Sequence, residues 1–286
     1  MKASPLVMKL AELVRLASSS LPEDAERALK RALRRESPPA STVLKTILAN
    51  VDLARRQGTP LCQDTGTLTF FVDESLRRKV TPEVLGRAVA MATEKGWLRR
   101  NTIDSVTGRS IDTNVCPGAP VIHYAPLETR GQVSLLMKGG GSENMSVQFS
   151  LPDASFGAGR DLEGVRRAIL SAVQRAQGFG CAPGILGVCI GGDRVSGFEE
   201  AKRQLLRNLA DRNPNPLLAR LERRVLREAN TLGIGPMGLG GSTTLLAVKI
   251  GSRPRVPASF FVTVAYLCWA ARRRTICLQP VPRKQG

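Results

Sequence analysis

The feature that most limits how this chain can fold is the order of its hydrophobic patterns. Residues 5–56 place apolar side chains at helical spacing, which predicts three helices with a break at Pro38 and Pro39. Alternating apolar runs, typical of strands, begin only after this region and are separated by glycine-rich loops. Helices that precede a set of strands predict an α+β fold, with mixed β-sheets flanked by helices.

The other elements follow from the same patterns. Further helices are predicted at residues 81–95, 160–178, 197–211 and 214–229. Strands are predicted at residues 67–72, 120–124, 133–137, 146–150, 184–190, 243–250 and 260–268. No internal repeat, low-complexity linker or clear boundary divides the sequence, so we expect a single domain over residues 1–286.

The chain is strongly basic, with 42 Lys and Arg residues against 24 Asp and Glu and a formal net charge of +18. Such a surplus is typical of proteins that bind nucleic acids, anionic membranes or acidic partners. Most basic residues alternate with acidic ones along predicted helices, and only residues 272–274 and 282–284 resemble a basic tail. Aromatic residues make up only 4%, which disfavours stacking on nucleic acid. Anionic substrates or an acidic partner explain the charge equally well.

No segment of the sequence is predicted to cross a membrane. The N-terminus lacks an apolar core long enough for a signal peptide and has the spacing of an amphipathic helix. A mitochondrial presequence is disfavoured by Glu12, Glu23 and Asp24. The apolar run 256–271 is too short to span a bilayer and predicts a buried strand. We therefore expect a cytoplasmic protein.

The cysteines and the single histidine limit the possible chemistry. Six cysteines without a C-x-x-C pair or a secretory signal disfavour a disulfide framework and a zinc ribbon. His123 lies in a predicted strand, where a structural role is the usual one, so histidine-dependent hydrolases are disfavoured. Any metal would have to be held by thiolates or carboxylates. The spacing of the cysteines alone leaves the question of a metal open.

Glycine-rich loops suggest contacts with an anion. Residues 233–238 match G-x-G-x-x-G, but a helix precedes them, a strand follows, and Pro236 lacks an N–H donor. No G-K-[ST] follows any of these loops, which argues against a P-loop. Tight turns are the plain interpretation, and backbone N–H groups close to a small carboxylate are the functional one.

The most specific segment is residues 60–66, Pro-Leu-Cys-Gln-Asp-Thr-Gly, between a predicted helix and a predicted strand. Together with four further motifs it resembles the α-type part of class I fumarases and tartrate dehydratases. The resemblance covers about the whole chain, with the motifs in the same order. Those motifs are Lys-Gly-Gly-Gly-Ser-Glu-Asn at 138–144, Cys-Ala-Pro-Gly-Ile-Leu-Gly-Val at 181–188, Ile-Gly-Pro-Met-Gly-Leu-Gly-Gly at 234–241 and Cys-Trp-Ala-Ala-Arg-Arg at 268–273.

The resemblance implies a 4Fe–4S cluster held by Cys62, Cys181 and Cys268. Iron–sulfur clusters usually take four thiolates, so three would leave one iron open to the substrate. An open iron can act as a Lewis acid on a hydroxyl group and help it leave as water. The remaining cysteines do not match cluster positions and are interpreted as structural: Cys116, Cys189 and Cys277.

The resemblance also implies a substrate site for a small dicarboxylate. Gln63 and Asp64 match residues that line it, and Arg99 matches an arginine that clamps a carboxylate, so these three are the expected catalytic residues. Gly140 and Gly141 match a loop whose backbone meets the substrate. The base, a threonine, and further cationic residues lie in the family's β-type part. The resemblance therefore implies a separate β subunit, in an α2β2 heterotetramer.

One position departs from the family pattern. Val256 stands where the family commonly has a histidine that could bond the substrate, which puts the usual activity or substrate in question. The Gly-Gly-Gly-Ser-Glu-Asn loop at 139–144 looks more like that of fumarases than that of tartrate dehydratases, so (S)-malate and fumarate are the expected pair. Two alternatives are open: an L(+)-tartrate dehydratase α subunit, and a degenerate paralogue that keeps the cluster as a sensor.

Overall fold

The structure is a computed structural model, and it describes residues 4–278. It divides into two units that are each made of several stretches of chain. The first unit contains residues 4–22, 50–139 and 272–278, and the second contains residues 23–49 and 140–271. This division does not test whether the units fold together, so the single domain over residues 1–286 stays a prediction.

The first unit packs two helices against a four-stranded sheet. Helix α1 begins where the Ser4 hydroxyl accepts a hydrogen bond from the Val7 N–H and Pro5 occupies the first turn. Its buried face, which includes Leu10 and Leu13, belongs to one apolar core with side chains of the sheet such as Phe70. The elements are α1 (Pro5–Ser19), α4 (Pro82–Glu94), β1 (Thr67–Asp73), β2 (Val121–Ala125), β3 (Gln132–Lys138) and β8 (Arg273–Cys277).

The sheet of the first unit has the strand order β2-β1-β3-β8. β1 pairs with β2 in parallel and with β3 antiparallel, and β3 pairs with β8 antiparallel. The strands β2 and β3 are neighbours along the chain but not in the sheet, because β1 lies between them. A third helix, α3 (Ala40–Gln57), contributes its residues 50–57 to this unit and 40–49 to the second.

The second unit has its own four-stranded sheet, with the order β4-β7-β5-β6. β5 and β6 are parallel, whereas the other pairs are antiparallel. Side chains of α6 and α8, such as Ile169 and Val225, pack with the sheet in one apolar core. The elements are α2 (Glu23–Leu33), α5 (Gly140–Asn144), α6 (Leu162–Ala176), α7 (Ser196–Gln204), α8 (Pro216–Thr231), β4 (Val147–Ser150), β5 (Gly184–Gly191), β6 (Leu245–Arg253) and β7 (Phe261–Leu267).

Two mixed sheets with flanking helices confirm the predicted α+β class. The three N-terminal helices and the seven predicted strands all occur, although the helix predicted at 197–211 ends at residue 204. The run 256–271 contains the buried strand β7, as expected. Within residues 4–278, no helix is both long and apolar enough to cross a membrane.

Two predictions were wrong. Gly140 and Gly141, expected in a glycine-rich loop over residues 139–141, instead begin the short helix α5 (Gly140–Asn144). Arg272 and Arg273 do not form a basic tail: they are 2% and 7% exposed, and β8 begins at Arg273. Arg272 is buried because its Nη1 donates to the carbonyl oxygens of Asp64 and Thr65, at 2.6 and 3.2 Å. The other part of the predicted tail, residues 282–284, lies outside the described residues.

Candidate functional site

The segment between α3 and β1 carries three of the predicted site residues. The Asp64 N–H lies 3.5 Å from the Cys62 sulfur, within hydrogen-bonding range of a thiol. The Asp64 carboxylate Oδ1 accepts hydrogen bonds from the Gly66 N–H at 2.8 Å and from the Asn101 amide at 3.1 Å. These contacts fix the orientation of the carboxylate on a half-buried loop.

Gly66 makes this loop possible. Its φ is +74°, and a Cβ there would lie 2.5 Å from the carbonyl oxygen of Lys138. Both the backbone conformation and the close approach therefore require glycine. Gly139 has a similar role, because a Cβ on it would lie 2.8 Å from Asp64 Oδ2. The glycines at the end of β3 and the start of β1 thus make room for the Asp64 segment.

Arg99 lies beside the same segment. Its guanidinium Nη1 donates to the Gln63 carbonyl oxygen at 3.1 Å, and both side chains are exposed. The Arg99 carbonyl in turn accepts from the Thr65 hydroxyl at 2.7 Å and from the Asn114 amide at 2.9 Å. The first unit therefore brings together Gln63, Asp64 and Arg99, with a half-buried carboxylate beside an exposed amide and an exposed guanidinium.

Two residues of this cluster were missed by the sequence reasoning. Asn101 donates a hydrogen bond that orients the Asp64 carboxylate, and the buried Arg272 donates to the Asp64 carbonyl oxygen and so fixes the backbone there. Asn101 follows Arg99 in a run of polar residues, where no local signal marks it. Arg272 is part of the Cys-Trp-Ala-Ala-Arg-Arg motif, which gave a signal for it that the charge pattern obscured.

The second unit carries Cys181 and Cys268 around one buried tyrosine. Cys181 adopts a left-handed conformation with φ +55°, which is uncommon for a residue with a Cβ. Its carbonyl oxygen accepts a hydrogen bond from the Trp269 N–H at 3.2 Å, which joins the two cysteine segments. Cβ atoms on Gly180 and Gly184 would lie within 2.4 Å of Tyr266, so the ring packs directly on this backbone.

Tyr266 itself was not predicted. It is 1% exposed, and its hydroxyl has no hydrogen-bond partner among the described residues. Burial raises the pKa of Tyr266, and negative charge on Cys268 and Cys181 raises it further. A signal was present, because the chain has only two tyrosines and this one stands two residues before a predicted ligand.

The loop at 233–241 supports the Cys181 segment. The N–H of Met237 donates to the Ala182 carbonyl oxygen at 2.9 Å. The neighbouring N–H groups of Gly235, Gly238 and Gly240 also donate within the protein. These donors are therefore already used by the protein, so the structure favours a tight turn over an anion-binding role for this loop.

Gly140 and Gly141 lie in the second unit, at the start of α5. A Cβ on Gly141 would lie 3.7 Å from the Phe179 carbonyl oxygen, which is an ordinary contact. Packing among the described residues therefore does not require glycine at position 141. Val256 is 66% exposed and lines a surface cavity of about 400 Å³ with Asp193 and Arg255.

Among residues 4–278, no group of three or more His, Cys, Asp or Glu side chains is placed to hold a metal ion. Cys62 belongs to the first unit, whereas Cys181 and Cys268 belong to the second. The donors of the second unit nevertheless fit an iron–sulfur group, because soft thiolates are its usual ligands. The buried Tyr266 hydroxyl, a donor without a partner in the described chain, fits the same group. The ligand roles stay predictions.

Comparison with known proteins extends these observations. A family model described as fumarate hydratase (Fumerase) matches residues 7–277. A Geobacillus stearothermophilus protein with the provisional name fumarate hydratase class I is 44% identical over 283 residues, which are 96% of this chain but 55% of that protein. The chain thus spans about half the length of this relative.

Two further relatives have lengths close to that of this chain. A Methanocaldococcus jannaschii protein, provisionally named L(+)-tartrate dehydratase subunit alpha, is 35% identical over 96% of each chain. The L(+)-tartrate dehydratase subunit alpha of Escherichia coli K12 is 30% identical over 94% of this chain and 91% of its own. The similarity therefore extends along nearly the whole sequence.

Proposed function

The chain belongs to the fumarate hydratase (Fumerase) family, and from that premise we propose that it is the α subunit of an iron–sulfur hydro-lyase. The proposed reaction is the reversible dehydration of (S)-malate to fumarate. The observation that carries the proposal is the cluster of Gln63, Asp64 and Arg99 beside Cys62 in the first unit. It combines a thiol that can bind a metal, an oriented carboxylate that can accept a hydrogen bond, and an exposed guanidinium that can bind a substrate carboxylate.

The proposed cofactor is a 4Fe–4S cluster with Cys62, Cys181 and Cys268 as its ligands. When bound, a cluster with only three thiolate ligands supplies an open iron that can act as a Lewis acid on the substrate hydroxyl. Histidine does not compete for this role, because the single histidine, His123, is in β2 and stacks on Phe71 with ring centroids 5.1 Å apart.

Each protein residue has a proposed task in the substrate complex. Arg99 binds a substrate carboxylate through two parallel hydrogen bonds, for which the planar guanidinium is suited. Asp64 accepts a hydrogen bond from the substrate, and the contacts to its Oδ1 keep it oriented before the substrate arrives. Gln63 offers an exposed amide next to both. The backbone at Gly140 and Gly141 approaches the substrate, which explains the glycine at position 141, where packing does not demand it.

The proposed partner is a β-type subunit. It provides the base that removes a proton from the substrate carbon next to the one that carries the hydroxyl group. Two relatives of nearly the same length as this chain carry the name subunit alpha. The longer Geobacillus relative has a further part of almost equal size. Both facts support a second polypeptide, and we propose an α2β2 heterotetramer in the cytoplasm.

L(+)-tartrate is the second candidate substrate, because the relatives of similar length are named for it. Val256 bears on this choice, since its side chain cannot donate a hydrogen bond where the family commonly has histidine. Assays with (S)-malate and L(+)-tartrate separate the two candidates directly. Turnover of neither substrate, in a chain that binds the cluster and its partner, would instead favour a sensor role.

The decisive experiment is anaerobic reconstitution of the full chain, with the β-type subunit added for the assay. We expect about four iron and four sulfide per chain, as in a 4Fe–4S cluster, and their loss in Cys62→Ser. The Cys116→Ser variant is the matched control and should keep both. A wild-type chain that binds no iron, alone or with its partner, would contradict the proposal.

A further inference from the structure

Tyr266 has an unusual environment for a buried tyrosine. It lies in β7, two residues before Cys268, and only 1% of its surface is exposed. Its hydroxyl has no hydrogen-bond partner among residues 4–278. Buried tyrosine hydroxyls normally find a partner, because an unsatisfied donor costs free energy. Because the unsatisfied hydroxyl of Tyr266 destabilises the fold, its presence at this position requires a physical reason.

The surrounding backbone is shaped around the ring and its hydroxyl. A Cβ on Gly184 would lie 2.3 Å from the Tyr266 oxygen, and one on Gly180 would lie 2.4 Å from the ring. Between these glycines stands Cys181, in its left-handed conformation. The hydroxyl therefore lies against the segment that carries one cysteine, on the strand that leads to the other.

The chain itself provides a comparison. Its only other tyrosine, Tyr124, donates its hydroxyl to the Val80 carbonyl oxygen at 2.7 Å and so has a plain structural role. Phenylalanine would fill the volume at position 266 equally well, and the chain contains eight phenylalanines. The oxygen of Tyr266 is thus what distinguishes it from phenylalanine. This oxygen lies against the backbone segment that carries Cys181, and Tyr266 stands two residues before Cys268.

We propose that Tyr266 is a positioning residue whose hydroxyl donates a hydrogen bond to a sulfur atom of the group held by Cys181 and Cys268. The proposal rests on the iron–sulfur cofactor of the proposed function. Hydrogen bonds to sulfur withdraw negative charge and so stabilise the reduced, more negative form of a cluster. The hydroxyl would therefore raise the reduction potential and slow the loss of iron.

The test uses the full chain, reconstituted anaerobically with iron and sulfide, as wild type, Tyr266→Phe and Tyr124→Phe. The midpoint potential is measured by an EPR-monitored redox titration, and iron release is followed in the presence of a chelator. We expect a lower midpoint and faster iron release in Tyr266→Phe, and wild-type values in Tyr124→Phe. Equal midpoints in wild type and Tyr266→Phe would overturn the proposal while leaving the proposed function intact.

Thermal unfolding of the cluster-free proteins gives a second, independent readout. Tyr266→Phe should unfold at the same temperature as wild type or higher, because it removes a buried donor without a partner. Tyr124→Phe should unfold at a lower temperature, because it loses a hydrogen bond. A Tyr266→Phe chain that unfolds earlier, or does not fold, would overturn the proposal by revealing a structural role. A wild-type chain that takes up no cluster would overturn both this proposal and the cofactor of the proposed function.

Discussion

The two cysteine-bearing segments of the chain are held in place by different forces. In the first unit, residues 62–66 are fixed by hydrogen bonds to Asn101, Arg99 and the buried Arg272. In the second unit, residues 180–184 are fixed by close packing on the Tyr266 ring and by backbone hydrogen bonds from Trp269 and Met237. One segment is polar and partly exposed, and the other is tightly packed.

The difference indicates a division of work. A polar, partly exposed segment can meet a charged substrate, because its side chains already have fixed orientations and remain accessible. A tightly packed segment can fix the positions of soft ligands, because its backbone has little room to move, although Cys181 and Cys268 are themselves half-buried like Cys62. Changes in the first segment should therefore affect turnover, and changes in the second should affect stability. The following predictions test this distinction, from the largest expected effect to the smallest.

Arg99→Ala should lower kcat/KM on the order of 1,000-fold, the size expected when a charged donor to the substrate is lost. Its iron content should stay that of wild type, since Arg99 is not a proposed ligand. Steady-state kinetics and iron analysis of the reconstituted α and β subunits check this. Arg100→Ala is the matched control, because Arg100 is exposed and pairs with Asp112 at 3.0 Å. Near-normal turnover in Arg99→Ala would contradict the proposed role of Arg99 in binding a substrate carboxylate.

Gly184→Ala should lower the free energy of unfolding by about 1–3 kcal/mol, because the new Cβ overpacks the Tyr266 ring. Urea unfolding of the cluster-free chain measures this. Gly141→Ala is the control for stability: its Cβ makes an ordinary contact, so unfolding should be unchanged while turnover falls. A Gly184→Ala chain as stable as wild type would contradict the close packing of the second segment.

Glu163→Gln should cost only about 0.5 kcal/mol at neutral pH, because Glu163 is a surface residue of α6 whose ion pairs are screened by solvent. Hydrogen bonding to Arg166 lowers the pKa of Glu163 from 4.5 to about 2, with Arg224 adding to the effect. A lowered pKa in the folded state means that the stabilisation is present above pH 4.5 and is lost as the pH falls toward 2. Urea unfolding at several pH values should therefore show the difference between wild type and variant shrinking through this range. If the difference in the free energy of unfolding did not depend on pH, the lowered pKa of Glu163 would not be its cause.

The smallest difference is expected between the unfolding midpoints of the two units. The chain has two tryptophans, Trp97 in the first unit and Trp269 in the second, so each can report on one unit. If residues 1–286 form a single domain, Trp97→Phe and Trp269→Phe should give unfolding curves with the same midpoint and slope as far-UV circular dichroism. Two separate midpoints would show that the units unfold independently, and would contradict the single domain.

Local signals predicted most of the fold. The three N-terminal helices and the apolar run that contains β7 are set by local hydrophobic spacing, and both were predicted. The order of the strands was not predictable, because β1 inserts between β2 and β3 through pairing with residues far along the chain. Strand β8 was missed for the same reason: its arginine-rich start resembles a tail, and its pairing partner β3 lies about 140 residues earlier in the chain.

The candidate site divides in the same way. Gln63, Asp64 and Arg99 came from motifs whose residues are close in sequence, and the structure brings them together. Asn101 and Tyr266 were missed because their roles depend on contacts between distant segments, which no motif records. The glycine loop at 233–241 was given two interpretations, a tight turn and an anion-binding loop, and the structure favours the turn: its Met237 N–H holds the Cys181 segment and the neighbouring N–H groups donate within the protein. Motifs thus identify ligands and substrate contacts better than the residues that support them.

The position of β8 has a consequence for how the protein is made. This strand completes the first sheet at the edge of β3, yet it is synthesised after every residue of the second unit. During translation β3 therefore stays an open sheet edge while residues 140–271 leave the ribosome, and open edges invite pairing with other chains. A ribosome that stalls before residue 273 would release a polypeptide with that edge exposed, so chaperone demand should rise steeply for such truncated products.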